Sequence, residues 1–173
     1  LRILHIPGLA KLEEFAGVPF LDIKSLTDGG LVLQQSFVNR IRNVDDFIPA
    51  SAEKDGVSVT ARKPDKQEAE DLFFAWAVES GVTSNSVIFV KDGATVAIGT
   101  GEQDRVGCVE IAVHKAYIKY ADVLAFRETG LSLYELTAKA AADSAFAAIL
   151  EDVNRRTREA KGGLAGAAMV SDG

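Results

Sequence analysis

The sequence predicts a three-layer α/β domain built on a mixed sheet, and three observations support this fold class. Val87 to Val90 is a continuous apolar run rich in β-branched residues, which is typical of a strand covered on both faces. Asp92-Gly93 follows as a tight-turn pair, which favours a hairpin with Thr95 to Ile98. Helical patterns stand on either side of this hairpin, and a last strand is expected at Ala165 to Val170. Such alternation of helices and strands indicates a layered α/β fold.

The helices are predicted from their starts and from their apolar spacing. Pro64-Asp65 opens the first helix, with Glu68 as capping partner, and Gly81 is expected to end it. A second helix follows Gly99-Thr100-Gly101, and a further helix follows Gly130. The predicted buried positions of these two helices are Val106, Val109, Val113, Ala116 and Tyr117, and then Ala142, Phe146, Ile149 and Val153.

The N-terminal third is predicted to be less regular. Leu1 to Ile6 alternates like a strand, and Lys11 to Phe15 favours a short helix. Leu21 to Ile23 and Gly30 to Gln34 favour short strands on either side of a turn. Residues 39–56 have no clear period and contain turn-forming residues, so we expect them to be mostly loop.

Composition indicates a globular protein and excludes several functional classes. The 173 residues are 47% hydrophobic, so a packed core is expected, and the net charge of −6 comes from mixed charges of both signs. No Lys/Arg stripe interleaved with aromatics is present, so nucleic acid is not an expected partner, although a local basic pocket still allows a small anionic ligand. No apolar run approaches the roughly 20 residues of a membrane span.

Cys108 is the single cysteine of the sequence. One cysteine excludes an intrachain disulfide and a multi-cysteine zinc site, and it fits a reducing cytoplasm. We interpret its side chain as a small packing residue. The first residue is not Met, and the chain stops just after an apolar run, so we expect both ends to be cut from a longer polypeptide.

The segment from Gly99 to Arg105 is the most suggestive candidate for a ligand site. Its glycines let a ligand approach the backbone closely, and the helix that follows offers unpaired N–H groups. Arg105 adds a planar donor that suits phosphate, carboxylate or carboxamide oxygens. A dinucleotide-binding loop would have a third glycine where Asp104 stands, so that interpretation is rejected. On spacing alone, a ligand loop and a plain tight turn both stay open.

Asn85 and His114 are the other polar candidates. Asn85 precedes the buried strand at a sheet end, where its amide suits an amide or formyl group; a turn-forming asparagine is the alternative. His114 has no carboxylate placed to orient it and no Ser or Cys nucleophile nearby in sequence, so we interpret it as a solvated helix residue. The His-x-Glu and Cys-x-x-Cys elements of zinc deaminases are absent from the sequence, so hydrolysis of an exocyclic amine by zinc has no ligands here.

Several sequence elements occur in a distinctive order. They are Asp22-Ile23-Lys24, Gly29 to Gln34, Thr60 to Pro64, Leu72 to Trp76, Ser84 to Val87, Val90 to Gly93, Gly99 to Val106 and Met169 to Asp172. In this order the chain resembles the aminoimidazole carboxamide ribonucleotide formyltransferase (AICAR transformylase) family, the transformylase part of bifunctional proteins that also carry an IMP cyclohydrolase. The stretch from Thr60 to Ala112 carries most of the specificity, because its ordered Ser-Asn, Lys-Asp-Gly and Gly-x-Gly-x-Gln-x-Arg elements are hard to meet by chance.

The resemblance implies formyl transfer from 10-formyltetrahydrofolate, as co-substrate, to the amine of aminoimidazole carboxamide ribonucleotide in purine biosynthesis. It also implies a cytidine-deaminase-like fold that has lost its zinc site, and a cytoplasmic homodimer whose active sites lie between subunits. Carried over residue by residue, it assigns Asn85 and Arg105 to nucleotide binding and Val106 to folate binding. No metal is expected.

The sequence departs from the family's pattern in three places. The family's catalytic Lys-His pair lies upstream of this sequence, so no catalytic residue is expected within it. The Phe-Phe-Pro-Phe-Arg-Asp stretch after Ser-Asp is missing, and the stretch between Ala112 and Gly166 is longer than in the family. We therefore expect a connecting segment over 1–56 and an incomplete transformylase subdomain over 57–173, with a helical insertion at 124–160. The alternative function is a noncatalytic ligand-binding or dimerisation domain that kept this fold.

Overall fold

The computed structural model describes residues 4–15, 17–36 and 38–172. The chain divides into two compact units, Leu1–Ile48 and Pro49–Gly173. The division lies upstream of the boundary expected between residues 56 and 57, because residues on both sides of that position pair in one hairpin. The assignment of 57–173 to a transformylase subdomain stays a prediction.

The first unit contains two short 3₁₀ helices and one hairpin. One 3₁₀ helix spans Leu9–Phe15, in the region where a short helix was predicted, and the other spans Val44–Asp46. Strands β1 (Leu21–Ser25) and β2 (Leu31–Gln35) pair antiparallel with Ile23 opposite Leu33, which confirms the two predicted strands. Residues 4–6 are not a strand, whereas residues 1–3 of that predicted strand lie outside the described part of the chain.

The second unit opens with a hairpin that the sequence pattern did not predict. Strand β3 (Ser51–Lys54) pairs antiparallel with β4 (Val57–Thr60), so the loop predicted for residues 39–56 is wrong at its C-terminal end. Asp55 and Gly56 form the turn with φ values of 53° and 77°, the positive angles that two-residue hairpin turns require. Both strands are exposed along their length. Each strand is only four residues long, and β3 has neither an apolar run nor alternation, so the alternation of Val57 and Val59 in β4 was too short to be recognised as a strand.

The core of the second unit is a three-stranded antiparallel sheet. Strand β5 (Ser86–Lys91) lies between β6 (Ala94–Thr100) and β7 (Ala168–Ser171), and it pairs antiparallel with both. The mixed sheet that we expected is therefore not present among residues 38–172. A two-residue turn at Asp92-Gly93 forces β6 to run back along β5, and β7 returns along the other edge in the same sense as β6.

Two helices cover the two faces of this sheet, which confirms the predicted three layers. Helix α1 (Lys66–Glu79) places Ala75 against Ile88 and Val90 of β5. Helix α2 (Arg105–Thr129) places Cys108 and Ala112 against Val87. Because successive strand residues point to opposite faces, α1 and α2 lie on opposite sides of the sheet. The residues named for this packing are Ala75, Val87, Ile88, Val90, Cys108 and Ala112, and all are fully buried.

The ends and faces of these helices agree in part with the sequence. Asp65 caps α1 and exchanges hydrogen bonds with Glu68, as predicted, and the helix ends two residues before Gly81. Val106 was predicted on the buried face of α2 but is 68% exposed. The small residues of α2 face the sheet instead, because β6 approaches the helix closely: a Cβ atom at Gly99 would collide with the carbonyl oxygen of Cys108.

The segment after Gly130 forms two helices where one was predicted. They are α3 (Leu133–Ala140) and α4 (Ser144–Glu159), and Asp143 caps α4 through the N–H of Ala145 at 2.8 Å. Ala142 therefore lies in the break, not on a buried face. The other predicted positions, Phe146, Ile149 and Val153, do pack in a core with α2 and α3 that includes Leu124, Ala125 and Leu136. Within the described residues, none of the helices combines the length and the apolar content needed to span a bilayer.

Candidate functional site

One end of the three-stranded sheet brings the two predicted nucleotide-binding residues together. Asn85 lies immediately before β5, and Arg105 is the first residue of α2. The register places Ser86 opposite Thr100 at the end of β6, and the end of β7 lies on the other side of β5. The start of β5, the ends of β6 and β7 and the start of α2 therefore converge at this one sheet end.

The glycine-containing loop is joined to the segment that carries Asn85. Gly101, at φ 73°, donates its N–H to the carbonyl oxygen of Asn85 at 3.0 Å, and the hydroxyl of Thr100 donates to the carbonyl oxygen of Thr83 at 2.7 Å. The side-chain amide of Asn85 donates to the carbonyl oxygen of Glu102 at 2.8 Å. Asn85, which follows a cis peptide bond, is half-buried. The Asn85 side chain thus holds the loop at Glu102, whereas an asparagine that only forms a turn would bond to its own neighbouring backbone.

Arg105 forms an ion pair with Asp172, the residue that follows β7. Its Nη1 atom donates to Oδ1 of Asp172 and to the carbonyl oxygen of Ser86, the latter at 2.9 Å. The N–H of Ser86 donates to the same Asp172 oxygen at 2.9 Å. Side chains of Arg105 and Asp172 keep 34% and 22% of their surface exposed, respectively. We call these two residues the Arg105–Asp172 pair.

The surroundings of Asp172 keep its carboxylate ionised. Hydrogen bonds from the Ser84 side chain, from the Arg105 guanidinium and from the backbone N–H of Ser86 hold the pKa of Asp172 well below its ordinary range. A carboxylate with so low a pKa is a weak base at neutral pH. Asp172 is therefore suited to holding Arg105 and not to accepting a proton from a substrate.

A buried polar pair lies behind this cluster. Ser86 is fully buried, and its hydroxyl donates to Oε1 of Glu79 at the end of α1. Glu79 is only 7% exposed, and its Oε2 atom has no hydrogen-bond partner among the described residues. Ser86 thus connects the last turn of α1 to Arg105 and Asp172.

The remaining predicted residues divide into exposed and buried positions. Val106 follows Arg105 and is exposed at the start of α2. Cys108 is fully buried, burial raises the pKa of its thiol, and its Sγ donates to the carbonyl oxygen of Asn85 at 3.2 Å, so its interpretation as a packing residue is confirmed. His114 is exposed on α2, as expected of a solvated helix residue.

Sequence reasoning missed Asp172, Ser86 and Glu79 as members of this cluster. Met169 to Asp172 matched a family element, but nothing in the sequence indicated that Asp172 contacts Arg105, which lies 67 positions away. Glu79 could have indicated a polar cluster here, because an acidic side chain buried at the end of an apolar helix face needs a hydrogen-bond donor.

Other features of the described residues lie away from this sheet end. A cleft of about 510 Å³ is lined by Arg62, Pro64, Glu68, Leu72 and residues 166–168, and a second of about 440 Å³ lies between α3 and α4. Neither includes Asn85 or Arg105. Among the described residues, no group of three or more His, Cys, Asp or Glu side chains is placed to hold a metal ion.

Comparison with known proteins identifies a family and several relatives. Residues 1–115 match the family described as AICARFT/IMPCHase bienzyme. The chain is 36% identical over 116 residues to the bifunctional purine biosynthesis protein PurH of Caldicellulosiruptor bescii, and 40% identical over 116 residues to that of Roseobacter denitrificans. The Dictyostelium discoideum protein of the same name is 37% identical over 113 residues.

These matches cover 67%, 67% and 65% of this chain but only 19% of each relative. The chain therefore matches about a fifth of the length of these proteins. The family match includes Asn85, Arg105 and Val106, and it ends within α2.

Proposed function

Because the chain belongs to the AICARFT/IMPCHase bienzyme family, we propose that the intact protein containing this sequence transfers a formyl group from 10-formyltetrahydrofolate to the amine of aminoimidazole carboxamide ribonucleotide. In this proposal the chain supplies part of the nucleotide site, and Val106 contributes to the folate site. The observation that carries it is the convergence of Asn85 and Arg105 at one end of the sheet, where Asn85 donates to the carbonyl oxygen of Glu102 and Arg105 to that of Ser86. Purine biosynthesis enzymes are the relatives that share this stretch of sequence.

The proposed reaction requires accurate placement of a weak nucleophile. The amine lone pair is delocalised into the imidazole and the carboxamide, so transfer needs close approach to the formyl carbon, removal of a proton and stabilisation of the developing oxyanion. Arg105 offers planar donors and Asn85 offers an amide, which are groups that orient a nucleotide by hydrogen bonds. The exposed side chain of Val106, next to Arg105, supplies an apolar contact for the folate.

The acid–base chemistry is assigned to residues beyond this sequence. Arg105 and Asn85 are not bases, and the depressed pKa of Asp172 makes that carboxylate a poor proton acceptor. In the proposal, the general base and the main oxyanion donor are the Lys-His pair that the family carries upstream. The residues described here therefore bind and orient.

Fold name, assembly and location follow as parts of the same proposal. The helix–sheet–helix layering supports a cytidine-deaminase-like fold that works without metal. A homodimer is part of the proposal because the chain belongs to this family. The reduced Cys108 fits a cytoplasmic protein. Residues 124–160 lie beyond the family match, which supports their assignment as a helical insertion.

A noncatalytic module is the second candidate, and one observation favours it. Both Asn85 and Arg105 already have partners within the chain, namely Glu102 and Asp172, which a purely structural role would also produce. The test is a formyl-transfer assay with the intact protein and both substrates, run beside calorimetric titration of the ribonucleotide. Turnover above the uncatalysed rate supports the enzyme; ribonucleotide binding without turnover supports the noncatalytic module.

A further inference from the structure

We propose that Asp172 is a positioning residue of the nucleotide site, which acts by holding the guanidinium of Arg105 against the sheet end. The inference rests on the proposed function, because it concerns how that site binds its ribonucleotide. Neither the family match, which ends at residue 115, nor the sequence pattern assigns Asp172 a role.

The contacts of Asp172 connect the elements that carry the predicted site residues. Its Oδ1 atom accepts from Nη1 of Arg105 and from the N–H of Ser86, the residue directly after Asn85. The carbonyl oxygen of Ser86 accepts from the same Nη1 atom at 2.9 Å. Arg105, Ser86 and Asp172 thus form a closed ring of three hydrogen bonds between α2, β5 and the residue after β7.

This ring uses only the Nη1 atom of Arg105, so the other N–H groups of its guanidinium can donate to a ligand. Both hydrogen bonds that Arg105 makes to described residues use Nη1, and the side chain keeps a third of its surface exposed. A guanidinium has further N–H groups in a fixed plane, so anchoring one nitrogen also sets the direction of the others. A free arginine would have to be ordered on binding, which weakens affinity; an anchored arginine is already ordered.

The matched control is Asp152 on α4. It is also an aspartate paired with arginines, since its Oδ2 atom lies 3.4 Å from Nη1 of Arg156 and its Oδ1 atom contacts Arg155, but it is remote in sequence from every predicted site residue. Replacing this carboxylate by the same substitution tests whether loss of any aspartate–arginine pair in the second unit affects binding.

The experiment measures the Kd of aminoimidazole carboxamide ribonucleotide by calorimetry with the intact protein. We expect Asp172→Ala to raise this Kd about tenfold, and Asp172→Asn, which keeps an oxygen acceptor, to raise it less. In an Arg105→Ala background the same Asp172→Ala change should alter the Kd by less than about twofold, because its effect passes through Arg105. Asp152→Asn should leave the Kd unchanged. Melting temperatures of all variants show whether each is folded.

Three results overturn the positioning role. One is an unchanged Kd in Asp172→Ala, or in Asp172→Asn if the alanine variant does not fold. Another is an equal rise in Kd with and without Arg105. The third is a wild-type Kd in Arg105→Ala, which rejects the proposed nucleotide site together with the role of Asp172; the first two results reject the role of Asp172 alone.

Discussion

The Oδ1 atom of Asp71 accepts the backbone N–H of Gly93 at 2.7 Å, although the two residues are 22 positions apart in the chain. The Oδ2 atom accepts the N–H of Asp92 at 3.0 Å, so a single carboxylate on α1 holds the turn between β5 and β6. Asp71 is 4% exposed. The two hydrogen bonds from the turn therefore end on a buried carboxylate and tie the first helical layer to the sheet, and a third, from the Gln67 side chain at 3.2 Å, lies within α1.

We expect Asp71→Ala to lower the free energy of unfolding of the chain by about 2–4 kcal/mol, because the carboxylate loses three hydrogen bonds, two from the backbone N–H groups of the turn and one from the Gln67 side chain. Urea denaturation followed by circular dichroism measures the change. Glu70→Ala is the matched control, since Glu70 is the exposed neighbour whose ion pair with Lys66 spans 3.8 Å, and its effect should stay within about 0.5 kcal/mol. Equal losses in the two variants would contradict the role given to Asp71.

In the intact protein, Arg105→Lys should lower kcat/KM for formyl transfer by roughly ten- to a hundredfold. A lysine ammonium cannot reproduce the planar fork, and loss of one charge-assisted contact costs about 1.5–3 kcal/mol. Steady-state kinetics with varied ribonucleotide measure the effect. Wild-type kinetics in both Arg105→Lys and Arg105→Ala would show that the Arg105–Asp172 pair is structural only.

Asn85→Ala should also lower transfer efficiency, because the amide that holds the glycine loop is lost. Asn85→Asp is expected to be worse, since a carboxylate cannot donate to the Glu102 carbonyl oxygen and brings a negative charge beside it. His114→Ala is the control, because His114 is exposed and should be nearly silent. Loss of turnover in His114→Ala, with normal kinetics in both Asn85 variants, would reverse the site assignment.

The contribution of Glu68 to the stability of the chain should be lost in acid. The Arg62 side chain and then the Asp65 backbone N–H lower the pKa of Glu68 from an ordinary 4.5 to about 2. Because folding favours the ionised form, its contribution is fully present above the ordinary pKa and is lost as the pH falls through about 2. Unfolding curves from pH 6 to pH 2 should therefore show wild type converging on Glu68→Gln. A difference that stays constant over that range would argue against this linkage.

The 173-residue chain, purified alone, should show no formyl transfer. In the proposed function its site residues only bind and orient, and Asp172 is too weak a base to replace the family's Lys-His pair. The assay uses 10-formyltetrahydrofolate and the ribonucleotide, with the intact protein as positive control. Turnover clearly above background would place a general base within this sequence.

Two Asp-Gly pairs show how far sequence patterns predicted the fold. Asp92-Gly93 was recognised because it follows an apolar strand, whereas Asp55-Gly56 forms the same kind of turn between exposed strands and was missed. The turn chemistry is equal in both hairpins, so the apolar pattern of the flanking residues determined which one was predicted.

The candidate site was predictable only where it is local in sequence. Asn85 and Arg105 stood out because they flank a strand end and a glycine loop. The antiparallel direction of β7 and the ion pair with Asp172 depend on β7 returning to β5 after α2, α3 and α4. Residue spacing in the sequence does not predict contacts between segments that are so far apart in the chain. Knowing that β7 pairs with β5 is what adds Asp172 to the site.

The two glycines of Gly99-Thr100-Gly101 should accept very different residues in a saturation library. At position 99 a side chain meets the backbone of α2, which cannot rotate away, so we expect glycine alone to survive selection for folding. At position 101 no atom lies within 4 Å of the place a Cβ would take, and only the positive φ of 73° is restrictive, so asparagine should be recovered and alanine should cost about 1 kcal/mol. Glycine is thus required at position 99 because α2 lies so close to β6, and it is favoured at position 101 because the turn that leads into α2 needs a positive φ.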